Sequence, residues 1–261
     1  MPSVTLPAAI SEQDARVSLP DHSSHAVARL RQQALAAATR PFMARGIKMQ
    51  RCGGCLLPPG HCICALRPQL SAGVSFCLLM HRLEPLKPTN TGRLIAECLA
   101  DTQAFVWSRT EPDPALLALL QDPQWQPLLV FPREYAAPQQ AVCQQISPIN
   151  GKRPLLVIID ATWNQARKMV RMSPWLRALP LLDLQPDQGS RYQLRRSCQA
   201  EHLCTAEVGV ACLELAGDAD AARGLDDYFD TFNTGYHLAR LNRTPADSPA
   251  RRRLVQRRVE G

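Results

Sequence analysis

The chain has no acidic residue between His22 and Leu83, no apolar run that could span a bilayer, and no glycine-rich phosphate signature of either common kind. Each absence excludes something. A membrane helix needs roughly 18 uninterrupted apolar residues, and none of the apolar stretches approaches that length. Without G-x-G-x-x-G or G-x-x-x-x-G-K-[ST], Rossmann-type dinucleotide binding and P-loop nucleotide hydrolysis are unsupported. The first 22 residues, MPSVTLPAAISEQDARVSLPDH, carry neither a basic start nor a continuous apolar core, so they do not read as a secretory signal. A cytoplasmic protein is expected. No internal repeat is visible, which excludes solenoids.

What is present is a chain of 261 residues, 46% hydrophobic, long enough to bury a substantial core. Its net charge of +7 is unevenly spread. Residues 22–83 hold eight Lys or Arg, and residues 240–261 hold seven Arg against two acids, while residues 84–239 are mildly acidic at −4. Basic flanks around a less basic middle suit a polyanion partner. The plainer alternative is two solvated ends.

The pattern divides the chain into four segments. Residues 1–22 are polar and Pro-interrupted, and read as disordered. Residues 23–70 hold a helix over 24–39, with Ser23 or Ser24 as its cap, and then a cysteine cluster. From 71 to 242, strand and helix signals alternate. Strands are expected at 73–81, 103–108, 126–132, 153–160 and 179–184. Helices are expected at 89–100 (capped by Thr89 or Asn90), 114–121, 138–146, 163–172, 200–216 and 224–242. Residues 243–261 form a basic tail. Continuous apolar strands alternating with helices argue for an α/β fold with a mostly parallel sheet and flanking helices.

Four of the ten cysteines crowd into RCGGCLLPPGHCICALRP as Cys52, Cys55, Cys62 and Cys64. Gly53-Gly54 lets backbone amides turn toward sulfur, and Pro58-Pro59-Gly60 returns the second pair to the first. Four thiolates at this spacing can close a tetrahedral Zn2+ site, structural because no coordination position is left open. His61 is a weaker substitute ligand. A redox dithiol fits less well, because C-x-x-C of that kind opens a helix in a βαβ unit.

The second constellation is LLVIIDATWNQARK, residues 155–168. A strand buried on both faces ends in Asp160, where ligands of open α/β sheets bind. Thr162 can cap the next helix, and Trp163 offers a flat face with one donor. Arg167, Lys168 and Arg171 line that helix with positive charge. Asp160 as a mere helix cap is the competing reading. Elsewhere, Asn90-Thr91-Gly92-Arg93 opens a helix whose amides suit a carboxylate or phosphate. Arg191, Tyr192, Arg195 and Arg196 make a cationic loop with an aromatic, suited to RNA. Thr205 and Glu207 either line a pocket or are ordinary polar helix positions.

These motifs, in this order, resemble the DTW-domain family, whose D-x-T-W signature is matched by Asp160-Ala161-Thr162-Trp163. The likeness extends over roughly residues 48–240 and takes in the cysteine module, Asn90–Arg93, Tyr192–Arg196 and Thr205-Ala206-Glu207. Within the family, the chain resembles the bacterial tRNA-uridine aminocarboxypropyltransferases. That resemblance implies a SPOUT-like α/β fold with a C-terminal knot, and tRNA as partner, with no protein partner evident. It implies transfer of the 3-amino-3-carboxypropyl group of S-adenosylmethionine to N3 of a variable-loop uridine. The catalytic residues implied are Asp160, Thr162 and Trp163, with Asn90, Thr91, Gly92, Arg93, Thr205 and Glu207 holding the cofactor. Arg167, Lys168, Arg171, Arg191, Tyr192, Arg195 and Arg196 would meet RNA. The alternatives are a SPOUT-like RNA methyltransferase and a non-enzymatic zinc-containing RNA-binding protein.

Overall fold

Among the described residues, six apolar strands carry the architecture, and all of them run parallel. A computed structural model describes residues 25–40, 42, 49–184 and 203–260. The strands are β1 (Ser75–Met80), β2 (Gln103–Val106), β3 (Trp125–Val130), β4 (Val142–Cys143), β5 (Arg153–Asp160) and β6 (Leu181–Leu182). Their order in the sheet is β2-β1-β5-β3-β6-β4, so every strand ends at the same edge.

Both faces of the sheet are covered, which explains the unbroken apolar runs in β1 and β5. Successive side chains point to opposite faces. Phe76, Leu78, Met80, Leu156 and Ile158 join one buried cluster, while Cys77, Leu79, Leu155, Val157 and Ile159 join the other. The helices are α1 (Ala26–Ala36), α2 (Gly92–Cys98), α3 (Pro114–Gln121), α4 (Trp163–Arg171), α5 (Pro174–Arg177), α6 (Thr205–Leu215), α7 (Ala219–Arg240) and α8 (Pro249–Glu260). Residues of α2, α6 and α7 pack in the first cluster, and residues of α3, α4 and α5 in the second. The cysteine segment contributes Leu57, Ile63 and Leu66 to the first cluster, beside Tyr228 and Phe232. Among the described residues, no helix is long and apolar enough to cross a membrane.

Several elements depart from the sequence reading. The helix expected over 138–146 is instead the edge strand β4, paired with β6. Val142 and Cys143 find backbone partners there, and that tertiary pairing overrides local helix preference. The cap of α1 is His25, whose Nδ1 accepts the Ala28 N–H at 3.3 Å, while Ser23 and Ser24 lie outside the described residues. Asn90 does serve at the start of α2, its Oδ1 accepting the Arg93 N–H at 2.9 Å. α7 begins five residues before the expected start at Gly224, following a turn in which Gly217 takes φ +81°. Within the basic tail, α8 docks on α7. Arg253 and Arg257 pair with Asp227 and Asp220, and Leu254 is buried. A C-terminal knot is implied by resemblance alone, and residues 185–202, between β6 and α6, lie outside the described residues.

Candidate active site

The loop after β1 leads toward β2, on one side of the sheet, and the loop after β5 leads toward β6, on the other. Adjacent parallel strands whose connections diverge leave a crevice beyond their carboxyl ends. Asp160 closes β5 at that point, and the His81 N–H donates to its carbonyl across from β1 at 2.9 Å.

Asp160 is 4% exposed, and its carboxylate is gripped from two helices. Asn90 Nδ2, just before α2, donates to Oδ2 at 2.6 Å. Thr205 Oγ1, the first residue of α6, donates to Oδ1 at 2.7 Å. Such charge-assisted bonds are what a buried carboxylate requires. Gly92 completes the enclosure, since a Cβ there would lie 2.4 Å from Asp160 Oδ2 and 3.2 Å from Thr205 Cγ2. A glycine is therefore required by close approach. The amino ends of α2 and α6 are also stitched together, with the Ala206 N–H donating to Thr91 Oγ1 at 3.4 Å. Three segments that are distant in sequence, at residues 90–92, 160 and 205–206, thus meet around one carboxylate.

The remaining residues singled out from the sequence divide into three groups. Glu207 sits one turn into α6 and caps it, accepting the Cys204 N–H at 2.6 Å. Arg93 faces the interior. Its guanidinium pairs with Glu97, donates to the Cys55 carbonyl at 2.6 Å, and lies over the Phe232 ring at 4.9 Å. It therefore couples the cysteine module to α2. Glu97 also accepts from the Tyr228 hydroxyl at 2.6 Å, and the cations around it hold its carboxyl below the usual range despite burial.

Beyond Asp160, Thr162 caps α4, and its N–H and hydroxyl both donate to Gln165 Oε1, at 3.1 and 2.8 Å. Trp163 stacks on Phe131, with centroids 5.4 Å apart and planes 15° apart, and meets Tyr135 edge-on at 5.6 Å. Arg167, Lys168 and Arg171 are exposed along α4. Arg191, Tyr192, Arg195 and Arg196 lie outside the described residues. Sequence reasoning missed His81, Phe131, Tyr135 and Asp183. Three of them were accessible to the logic that found Asp160, because His81, Phe131 and Asp183 each follow a buried strand at the carboxyl edge.

The four cysteines converge as their spacing suggests. Their sulfurs all lie within 4.8 Å of one another. The Cys52–Cys64 and Cys52–Cys62 separations are 3.5 Å and Cys55–Cys62 is 3.8 Å. A tetrahedron with Zn–S bonds of about 2.3 Å has sulfur edges of roughly 3.8 Å, so the donor set fits zinc. Hydrogen bonding from Cys64 lowers the Cys55 thiol, while burial raises that of Cys62. His61 turns away, its Nε2 meeting the Arg243 carbonyl at 2.9 Å.

A family profile described as the DTW domain matches residues 49–237. A curated relative, tRNA-uridine aminocarboxypropyltransferase 2 of Drosophila melanogaster, is 27% identical over 177 residues, covering 64% of this chain and 67% of that protein. No solved structure matches.

Proposed function

The chain belongs to the DTW-domain family, and from that premise we propose that it is a tRNA-uridine aminocarboxypropyltransferase. In this reading it moves the 3-amino-3-carboxypropyl group of S-adenosylmethionine to N3 of a variable-loop uridine and releases methylthioadenosine. The observation that carries the reading is the convergence of Asn90, Gly92 and Thr205 on Asp160 at the switch point of the sheet. Two separate helix starts and an obligatory glycine drawn onto one carboxylate support a site over a simple cap of the following helix. The name of the fly relative supplies the reaction class.

The chemistry asks the site mainly for orientation. The donor's sulfonium carries three carbons open to attack, so the group transferred depends on which carbon faces the nucleophile. Asn90, Thr91, Gly92, Thr205 and Glu207 form the rigid floor against which the donor is held, and Arg93 stiffens α2 from behind. Asp160 acts as the organising carboxylate. Trp163, backed by Phe131 and Tyr135, offers a flat apolar face for a base or the adenine ring. Arg167, Lys168 and Arg171, with Arg191, Tyr192, Arg195 and Arg196, meet the tRNA backbone and loop bases. Cys52, Cys55, Cys62 and Cys64 hold a structural Zn2+, which ties their segment to α2 and α7 and takes no part in transfer. Such an enzyme works in the cytoplasm, on tRNA.

Nucleoside mass spectrometry tests the reading. Purified protein, unmodified tRNA and S-adenosylmethionine should yield aminocarboxypropyluridine and methylthioadenosine. A methylated nucleoside with S-adenosylhomocysteine would move the protein to the methyltransferases. Tight tRNA binding with no new nucleoside would make it a binding module.

A further inference from the structure

Attack by uridine N3 requires its proton to leave, and the buried carboxylates described at the carboxyl edge are poorly placed to take it. Asp160 is buried, with both oxygens accepting bonds. Asp183 is buried and accepts the Arg133 N–H at 3.1 Å. Glu84 pairs with Lys87 at 2.5 Å, and Glu207 caps α6.

His81 differs from all of these. It follows β1 directly, is partly exposed, and borders the same crevice from the strand beside β5. Its orientation is set by the D-x-T-W turn. Gln165 Oε1 is occupied by both Thr162 donors, so the amide nitrogen is the group turned toward His81, 3.3 Å from its Nε2. An amide N–H donates, so the imidazole nitrogen it meets carries the lone pair. The Leu83 N–H approaches the other nitrogen, Nδ1, only at 3.5 Å, the far limit of a hydrogen bond.

Resting on the transferase reading, we propose that His81 is the general base of the reaction, with Asp160 as a positioning residue. Uridine N3–H takes the place of the Gln165 amide at the Nε2 lone pair, and His81 accepts the N3 proton as the electron pair of that N–H bond forms the bond to the γ-methylene carbon of S-adenosylmethionine. The carbon–sulfur bond breaks with its electron pair going to sulfur, giving neutral methylthioadenosine. The imidazolium then returns its proton to solvent, so one positive charge enters as sulfonium and leaves as a proton. The groups facing His81 favour this role. Partial burial lowers its proton affinity, Lys87 and Arg82 lower it further, and Glu84 opposes them. Gln165 on α4 and the Asp160 carbonyl on β5 are uncharged. The ring is therefore neutral and ready to accept a proton near pH 7.

The experiment follows single-turnover aminocarboxypropylation of tRNA from pH 5 to 8 in the full chain, in His81→Gln and in His81→Ala. Wild type should lose activity as pH falls, with a midpoint below the ordinary histidine value of about 6.5. His81→Gln should be slower by roughly 10²–10⁴-fold and lack that acid limb. Added imidazole should partly restore His81→Ala, in proportion to its unprotonated fraction. Zinc content and melting temperature monitor folding. Rates within about threefold of wild type would overturn the assignment, as would a retained acid limb or a folded His81→Ala that imidazole does not restore. Failure of the transferase reading shows separately, as a wild-type protein that makes no aminocarboxypropyluridine, and the assignment falls with it.

Discussion

Asp160, Asn90, Gly92 and Thr205 leave no spare volume between them, so small changes there should act strongly and differently. Asp160→Asn keeps the shape and removes the charge that both donors serve. Modification should fall at least about a hundredfold, with tRNA affinity nearly unchanged in a filter-binding assay. Full activity in this variant would remove Asp160 from the site's machinery. Gly92→Ala instead drives a methyl group into the carboxylate. Overpacking of this kind destabilises by about 1–3 kcal/mol, so a lowered melting temperature should accompany lost activity. His25 presents a different residue-scale property. Burial lowers its pKa to about 4, although Glu97 opposes the shift, and its neutral Nδ1 caps α1. A base whose folded pKa is depressed stabilises the fold fully above its unfolded value of about 6.5. That stability is lost as pH falls toward 4. Urea midpoints should therefore drop between pH 6.5 and 4.5. His25→Asn, which keeps a capping acceptor, should flatten part of that dependence; an equal drop in the variant would assign it to other groups.

At the scale of elements, the cysteine segment shows how a metal site and a core depend on each other. Leu57 and Ile63 are fully buried between the cysteine pairs and α7, and Arg93 reaches the Cys55 carbonyl from α2. Releasing the metal should loosen this corner of the core, not just a surface loop. Chelation, or Cys55→Ser, should lower the melting temperature by about 10 °C or more, with equimolar zinc found in the untreated protein by elemental analysis. An unchanged melt with no bound metal would leave the four thiols without that role. β4 illustrates the limit of local reading. Its two residues form a strand because β6 offers a free edge, information carried by residues some forty positions away.

Over the whole molecule, the charge map acquires a physical division of labour. Arg253 and Arg257 are engaged by Asp227 and Asp220, so part of the positive charge of the tail holds α8 to α7. Deleting residues 243–261 would strip that packing, uncover Asp227, and confound stability with binding. A triple variant, Arg251→Gln, Arg252→Gln and Arg258→Gln, leaves both anchors in place. It should melt like wild type while its tRNA affinity falls. The slope of log affinity against log salt should shrink by about 0.7–0.9 for each tRNA phosphate that these arginines neutralise. An unchanged slope would remove them from the RNA surface.

The parallel α/β class, five of the six described strands, the zinc-compatible cysteine set and the place of Asp160 at the end of a buried strand were all legible in the residues. They rest on local quantities: apolar continuity, cap chemistry, thiol spacing and a carboxylate at a strand end. The inward turn of Arg93 and the contact of His81 with Gln165 were not legible. Arg93 sits in a motif that suits an anion, yet the fold turns it inward to Glu97 and Cys55, and His81 gains its meaning from a glutamine 84 positions away. Sequence decides which groups are available and which local structures they prefer. Only the tertiary structure decides which groups face each other, because partner, burial and orientation come from chain segments that meet after folding.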